Sequence, residues 1–149
     1  MTFHITDTVA GTQPIADTST TQNHPLGTIV RAYDPSYGEG EFIYLSGVAS
    51  TVLGSWVTVH EDAFTTTLLA ANDIGRTALS MSINVASQWG WYQISGKAVG
   101  LALASYADNA LVYATATAGS VDDAVVAGDR VKQAISASAV DTPSTGLAE

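Results

Sequence analysis

The sequence predicts an all-β fold, either a small β-barrel or β-tulip or a sandwich, preceded by an extended N-terminal arm. Short apolar or alternating segments recur between turn-forming residues that are roughly 8–12 residues apart, a spacing typical of sandwiches and barrels. The 149 residues are 46% hydrophobic but only 13% charged, which is about half of the usual charged share of ~25%. Thr and Ser replace charged residues, and β-branched Thr suits a pleated surface.

Residues 1–27 are predicted to form the arm. The segment Thr18–Pro25 is polar, has no periodicity and ends in proline, and such segments bury too little apolar surface to fold alone. It is either a disordered tail or an arm that orders against a neighbouring subunit. Its expected apolar contacts with a partner are Ile5, Val9 and Ile15. We therefore expect the domain to remain folded when residues 1–20 are removed.

Residues 28–149 are predicted to form a single β-rich domain. Residues 77–84 and 97–104 alternate between large apolar and small side chains, a pattern that indicates half-buried strands. Residues 56–60 and 65–69 flank a polar turn and predict a hairpin. For residues 68–75 the alternative is one helical turn ending at glycine. The predicted strands are 28–33, 41–47, 56–60, 65–69, 77–84, 89–95, 97–104, 111–117, 121–126 and 130–135.

The C-terminal residues 142–149 form a turn-like stretch that stops abruptly. A further strand is needed to complete a final hairpin after residues 130–135, because strands that follow each other in sequence usually pair. From the sequence, that strand is either missing or supplied by another chain.

Charge and composition exclude several classes of partner. The net charge is −9 with only five basic residues, so no basic footprint for nucleic acid can be assembled. The acidic balance repels anionic membranes, and no apolar run approaches the ~20 residues of a membrane span. Cysteine is absent, which excludes disulfides and thiolate metal sites. The N-terminus has no secretory pattern. We expect a soluble product made in a cytoplasm, with a protein partner.

No pattern for catalysis, cofactor binding or metal binding is present. His4, His24 and His60 lie in separate segments without paired metal-ligand spacing. Asp122 and Asp123 are adjacent, so on a strand they face opposite sides. No nucleophile elbow, phosphate-binding loop or dinucleotide fingerprint occurs. The sequence therefore predicts a protein that is not an enzyme and has no catalytic residues, cofactor or metal.

The aromatic residues Trp89, Trp91 and Tyr92 lie in one predicted strand. Successive side chains of a strand point to opposite faces, so the two tryptophans share a face and Tyr92 lies on the other. Three interpretations remain open. They are core anchors, contacts with a partner protein, or a platform on which a sugar stacks.

Several phrases of the chain resemble segments of small virion structural proteins that are encoded beside major capsid genes in tailed phages. The phrases are residues 21–27, 38–44, 88–98, 107–123 and 126–131. Members with an assigned role look like head decoration (cement) proteins of β-barrel or β-tulip type. The resemblance implies a structural protein on the capsid exterior, made in the bacterial host cytoplasm, with the major capsid protein as its partner and a homotrimer as its assembly. The alternatives are a head fibre base, a tail or minor capsid protein, or a carbohydrate-binding receptor module.

Overall fold

The computed structural model describes residues 2–6, 11–140 and 146–148, which form two β-sheets and no helix. The all-β prediction is confirmed. The first sheet contains β1 (His4–Ile5), β2 (Thr18–Ser19), β3 (Ile29–Asp34), β4 (Gly38–Ser46), β5 (Trp56–His60), β6 (Thr65–Leu68), β7 (Arg76–Ser80) and β8 (Trp89–Ser95). The second contains β9 (Gly100–Ala102), β10 (Leu111–Ala114), β11 (Val121–Asp122), β12 (Arg130–Ile135) and β13 (Gly146–Ala148).

The two sheets differ in the order of their strands. The first runs β1-β3-β4-β8-β7-β5-β6, with β2 also paired to β8, and all its described pairs are antiparallel. The second runs β12-β10-β11-β9-β13, in which β9 and β11 are parallel. Neither sheet closes into a barrel, so a sandwich is the compatible alternative.

Both faces of the first sheet are covered, and β4 shows why. Phe42 and Tyr44 point to one apolar cluster with Trp91, whereas Ile43 and Leu45 point to a second cluster on the opposite face. An unbroken apolar run is typical of a strand that is buried on both sides. The central strands therefore need a second layer on each face.

The described part of residues 1–27 supplies one of these layers and does not extend from the domain as an arm. Ile15 is 3% exposed and belongs to the cluster around Trp91. β1 pairs with β3, and β2 pairs with β8. The prediction of an arm bounded at residue 27 is thus wrong for residues 2–6 and 11–27, because the apolar face of β4 and β8 is covered by this segment. Val9 lies outside the described residues.

Gln13 is the polar centre of this N-terminal layer. Its Nε2 donates to the carbonyls of Asp17 and Trp89 at 2.8 and 3.3 Å. Its Oε1 accepts from Asn23 Nδ2 and Tyr44 Oη at 2.8 and 3.1 Å. A buried amide is stable when its donors and acceptors are satisfied, so Gln13 fixes the path of the segment across the sheet.

The strand predictions are right in position and too long in several places. β5, β8 and β12 have the predicted bounds, and β5 and β6 form the predicted hairpin. β9 and β11 are much shorter than the predicted 97–104 and 121–126. Residues 69–75 contain a turn at residues 71–72 and no helix. The missing final strand is β13 of the same chain, and it pairs with β9 instead of completing a hairpin with β12.

The two sheets are joined along a seam of main-chain hydrogen bonds. The N–H of Leu101 donates to the Gly54 carbonyl at 2.8 Å, and the N–H of Trp56 donates to the Gly119 carbonyl at 3.0 Å. The Trp56 indole lies against Gly100, where an added Cβ would be 2.7 Å from Nε1. The seam leaves one side of the molecule open between the sheets.

Candidate functional site

The structure places three of the predicted contact residues in the core. Trp91 and Tyr92 are 0% exposed and Ile15 is 3% exposed. Trp91 and Tyr92 belong to clusters on opposite faces of the sheet, as the alternation of the strand predicts. The prediction that these three residues contact a partner is wrong for the folded chain, because their side chains are enclosed by its own residues.

Ile5 and Trp89 are half-buried and pack against the cluster around Trp91. Their contact with a partner stays a prediction. A sugar-stacking platform needs two accessible rings, and the complete burial of Trp91 removes one of them. The Trp89–Trp91 pair is therefore not a platform for a carbohydrate.

The candidate chemical groups are dispersed or engaged in structure. His24 Nε2 accepts the N–H of Gln13 at 3.0 Å, and the imidazole ring packs 5.0 Å from the Tyr44 ring. Burial, and to a lesser extent the neighbouring Asp123, raise the pKa of Asp122. Within residues 2–6, 11–140 and 146–148, no group of three or more His, Asp or Glu side chains is placed to hold a metal ion.

A cleft lies between the two sheets, and it begins where β7 and β8 separate. These antiparallel strands pair only at Leu79–Gln93 and Ser80–Tyr92. Beyond Leu79, residues 76–78 of β7 pair with β5 alone, and the end of β8 pairs with β4. We call the gap between residues 75–77 and residues 94–97 the fork.

Gln93 and Gly96 hold the fork open. The Nε2 of Gln93 donates to the carbonyls of Ser95 and Lys97, both at 3.0 Å, and so curls the chain at the end of β8. Gly96 adopts a φ of +97°, and an added Cβ there would lie 2.5 Å from the Glu39 carbonyl oxygen. A β-bulge between β4 and β8 at this point adds to the bend. The end of β8 is thereby drawn toward β4 and away from β7.

The cleft has a volume of about 910 Å³, near the upper end of the ~300–1,000 Å³ of ligand pockets. One wall is the fork and its flanks, residues 73–79 and 93–98. The other wall is built by residues 128–132 and 134–137, which include the edge strand β12. Its floor contains Trp56 and Tyr106. The cleft is therefore bordered by strand edges on both sides.

The walls of the cleft concentrate the positive charge of an acidic protein. Of five basic residues in the chain, four have atoms that line the cleft, namely Arg76, Lys97, Arg130 and Lys132. The Lys97 ammonium itself lies over the Tyr37 ring, 5.4 Å from its centroid. The lining also contains two carboxylates, those of Asp73 and Asp129, out of 14 acidic residues in the chain. Such a surface attracts an anionic group, whereas the chain as a whole has a net charge of −9.

The two carboxylates that line the cleft accept hydrogen bonds from other residues of the chain. Asp73 Oδ2 accepts from Thr58 Oγ1 at 3.1 Å and from the N–H of Ala70 at 3.0 Å. Asp129 Oδ1 accepts the N–H of Asn72 at 2.8 Å. In the described part of the chain, no carboxylate lies within 4 Å of the charged groups of Arg76, Arg130 or Lys132. These three cations are available to a ligand.

Two polar atoms of cleft residues are buried without a hydrogen-bond partner. They are Oε1 of Gln93, a residue that is 3% exposed, and Nε1 of the Trp56 indole. Leaving such a group unsatisfied costs about 1–3 kcal/mol. An acceptor and a donor of residues that line the cleft thus remain unmatched.

Sequence reasoning did not identify this site. The one available signal was the distribution of the basic residues, because four of the five follow residue 75. That distribution carries no spatial information by itself, since the four lie on β7, on β12 and in the turn after β8. The separation of β7 from β8 is a tertiary effect.

Comparisons of the chain with protein-family models, with curated proteins and with solved structures found no match. The described residues also contain no helix that is long and apolar enough to span a bilayer.

Proposed function

We propose that this protein is a non-enzymatic virion component, a decoration protein that binds the outside of a tailed-phage capsid and stabilises it. Its partner is the major capsid protein, and its assembly on the shell is a homotrimer. The resemblance of residues 88–98 and 107–123 to small phage head proteins is the origin of the proposal. The all-β fold agrees with it.

The observation that carries the proposal is that most of the basic residues of this acidic protein line one cleft. A protein that coats a shell needs one surface that binds and others that face solvent. The cleft gathers four of the five basic residues, and complementary charge orients a protein as it meets its partner. The cleft is therefore the surface that we assign to the capsid.

A sedimentation experiment tests the proposal. Purified protein is added to expanded capsids that lack it, and the capsids are pelleted. Binding at a fixed number of copies per capsid, with density outside the shell at three-fold positions in a reconstruction, is the expected result. Density confined to a tail or a fibre base assigns the protein to another part of the virion, and absence from purified virions contradicts the whole proposal.

A further inference from the structure

We propose that the cleft accepts an extended acidic segment of a partner protein, which adds to the open edge of β7 as an extra strand. The inference rests on the proposed function only for the identity of the partner, namely the capsid. The extended conformation of the segment, the sign of its charge and its mode of binding follow from the cleft itself.

The first argument is the main chain of Thr77. The N–H of Ser80 donates to the Ser55 carbonyl, and its carbonyl accepts from Gly54, both at 2.9 Å and both on the side of β5. Hydrogen-bonding direction alternates along an antiparallel strand, so Leu79 and Thr77 direct their N–H and C=O groups to the opposite side. Leu79 is opposite Gln93 there, but Thr77 faces the fork.

An edge with exposed N–H and C=O groups is a template for another strand. The curled end of β8 prevents it from pairing with Thr77, because Gln93 and Gly96 hold that end against β4. β12 borders the opposite wall and is itself an edge strand, paired only to β10 among the described strands. An extended segment along β7 would therefore lie between strand edges.

The second argument is the charge around this edge. Arg76 is on β7 beside Thr77, and Arg130 and Lys132 are exposed on β12 across the cleft. Arg130 and Lys132 flank the buried Val131, so their side chains share the solvent face of β12 at the border of the cleft. Acidic residues at every second position of an added strand have the same separation as Arg130 and Lys132. A neutral or basic segment would leave these cations without counter-charges.

The third argument is the pair of unmatched polar atoms. Both atoms are buried, so a segment reaches them only when the lining of the cleft shifts on binding. A peptide carries both N–H and C=O groups and would then supply a donor to Gln93 Oε1 and an acceptor to Trp56 Nε1. A lone inorganic anion has acceptors only. An acidic oligosaccharide offers both types of group, but it has no main chain that matches the edge of Thr77.

The test uses the full chain and fluorescein-labelled synthetic peptides of about nine residues, a length within the usual range of strands. The first peptide alternates Glu with Val. A second has Lys in place of Glu, and a third is the first peptide with N-methyl groups at every second main-chain nitrogen. Fluorescence anisotropy should show binding of the first peptide, weaker binding at high salt, no binding of the second, and affinity about tenfold lower for the third because strand hydrogen bonds are lost.

Matched variants assign the binding to the cleft. The double variant Arg130→Glu with Lys132→Glu should lower the affinity for the acidic peptide at least about tenfold, by replacing attraction with repulsion. Arg31→Glu is the control, because Arg31 is exposed and pairs with Glu41 away from the cleft. It should leave the affinity unchanged. Thermal unfolding of each variant confirms that the fold is retained.

Other results overturn the inference. Equal binding of the N-methylated peptide would contradict binding as an added strand. An effect of Arg31→Glu as large as that of the β12 variant would contradict binding in the cleft. Binding of oligogalacturonate without binding of the acidic peptide makes the occupant a glycan. Self-association that the β12 variant abolishes, with no peptide binding, makes the occupant a second copy. If the protein binds capsids but the peptide tests fail, the decoration function stands and the added strand does not. If the acidic peptide binds but capsids do not, the added strand stands and the decoration function does not.

Discussion

The indole N–H of Trp91 donates a 2.8 Å hydrogen bond to the main-chain carbonyl of Gln13. The bond joins the centre of β8 to a segment 78 residues earlier in the chain. Trp91 and Gln13 are both buried, so the bond is shielded from water. It makes the N-terminal segment a layer of the domain.

We predict that Trp91→Phe destabilises the protein by about 1–3 kcal/mol, because the buried Gln13 carbonyl loses its donor. The change is measured as the free energy of unfolding in urea. Trp89→Phe is the control, since Trp89 is half-buried at the edge of the same cluster, and its loss should be smaller. Equal losses for the two variants would show that ring volume, and not the Gln13 bond, sets the effect.

Ile15→Ala should lower the free energy of unfolding by about 2–5 kcal/mol, the range for large-to-small changes in a core. Ile15 is 3% exposed within the cluster of Tyr44 and Trp91. The matched control is Ile74→Ala, at a position 95% exposed, where a change within about 0.5 kcal/mol is expected. A small loss at Ile15 would mean that the N-terminal layer is not tightly packed.

Deletion of residues 1–20 should abolish or strongly lower the cooperative thermal transition, in contrast to the expectation from sequence. The deletion removes β2, Gln13 and Ile15 together and uncovers the apolar side chains of Tyr44 and Trp91. Circular dichroism during heating measures the transition. A melting curve that matches the full chain would restore the arm interpretation.

Gly96→Ala should destabilise the protein by more than Gly38→Ala. Both glycines have positive φ, +97° and +78°, so alanine meets a left-handed strain of about 1–2 kcal/mol at either position. At Gly38 nothing lies within 4 Å of the added Cβ, whereas at Gly96 the Glu39 carbonyl lies at 2.5 Å. Urea unfolding of both variants measures the difference, and equal losses would show that the turn after β8 yields easily.

Asp34→Asn should destabilise the protein near neutral pH, and the difference from the unmodified protein should shrink in acid. The N–H groups of Thr2, Ser36 and Tyr37 donate to the Asp34 carboxylate. The Thr2 bond is the largest cause that holds the pKa of Asp34 below 3.8. A lowered pKa contributes stability that is present above the unfolded value and is lost as pH falls through the folded value. Urea midpoints at pH 7 and below pH 4 measure the effect, and a gap that is constant with pH contradicts it.

Some features followed from the local pattern of residues alone. The alternation in residues 89–95 places Trp91 and Tyr92 on opposite faces, and the structure puts them in separate clusters. The hairpin of β5 and β6 likewise followed from two β-rich runs around a polar turn. Period-two alternation and turn residues act over a few positions, so they can be recognised without knowing the fold.

Other features depend on contacts between distant segments. The polar, aperiodic composition of residues 18–25 indicated an arm, but the segment's position is set by the uncovered face of β4 and β8 and by the hydrogen bonds of Gln13. In the same way β13 pairs with β9, a strand more than forty residues earlier in the chain. Local propensity is too weak to specify such pairings, because cross-strand and face neighbours decide them.

The sequence by itself determined an all-β chain, the faces of its central aromatic strand and its scarcity of positive charge. Only the tertiary structure decided where that charge lies. Arg76, Lys97 and the pair Arg130 and Lys132 come from three separate elements. The cleft brings them together because Gln93 and Gly96 bend the end of β8 away from β7. Residue patterns report the preference of each strand for a face, whereas a site between two sheets depends on how the sheets meet.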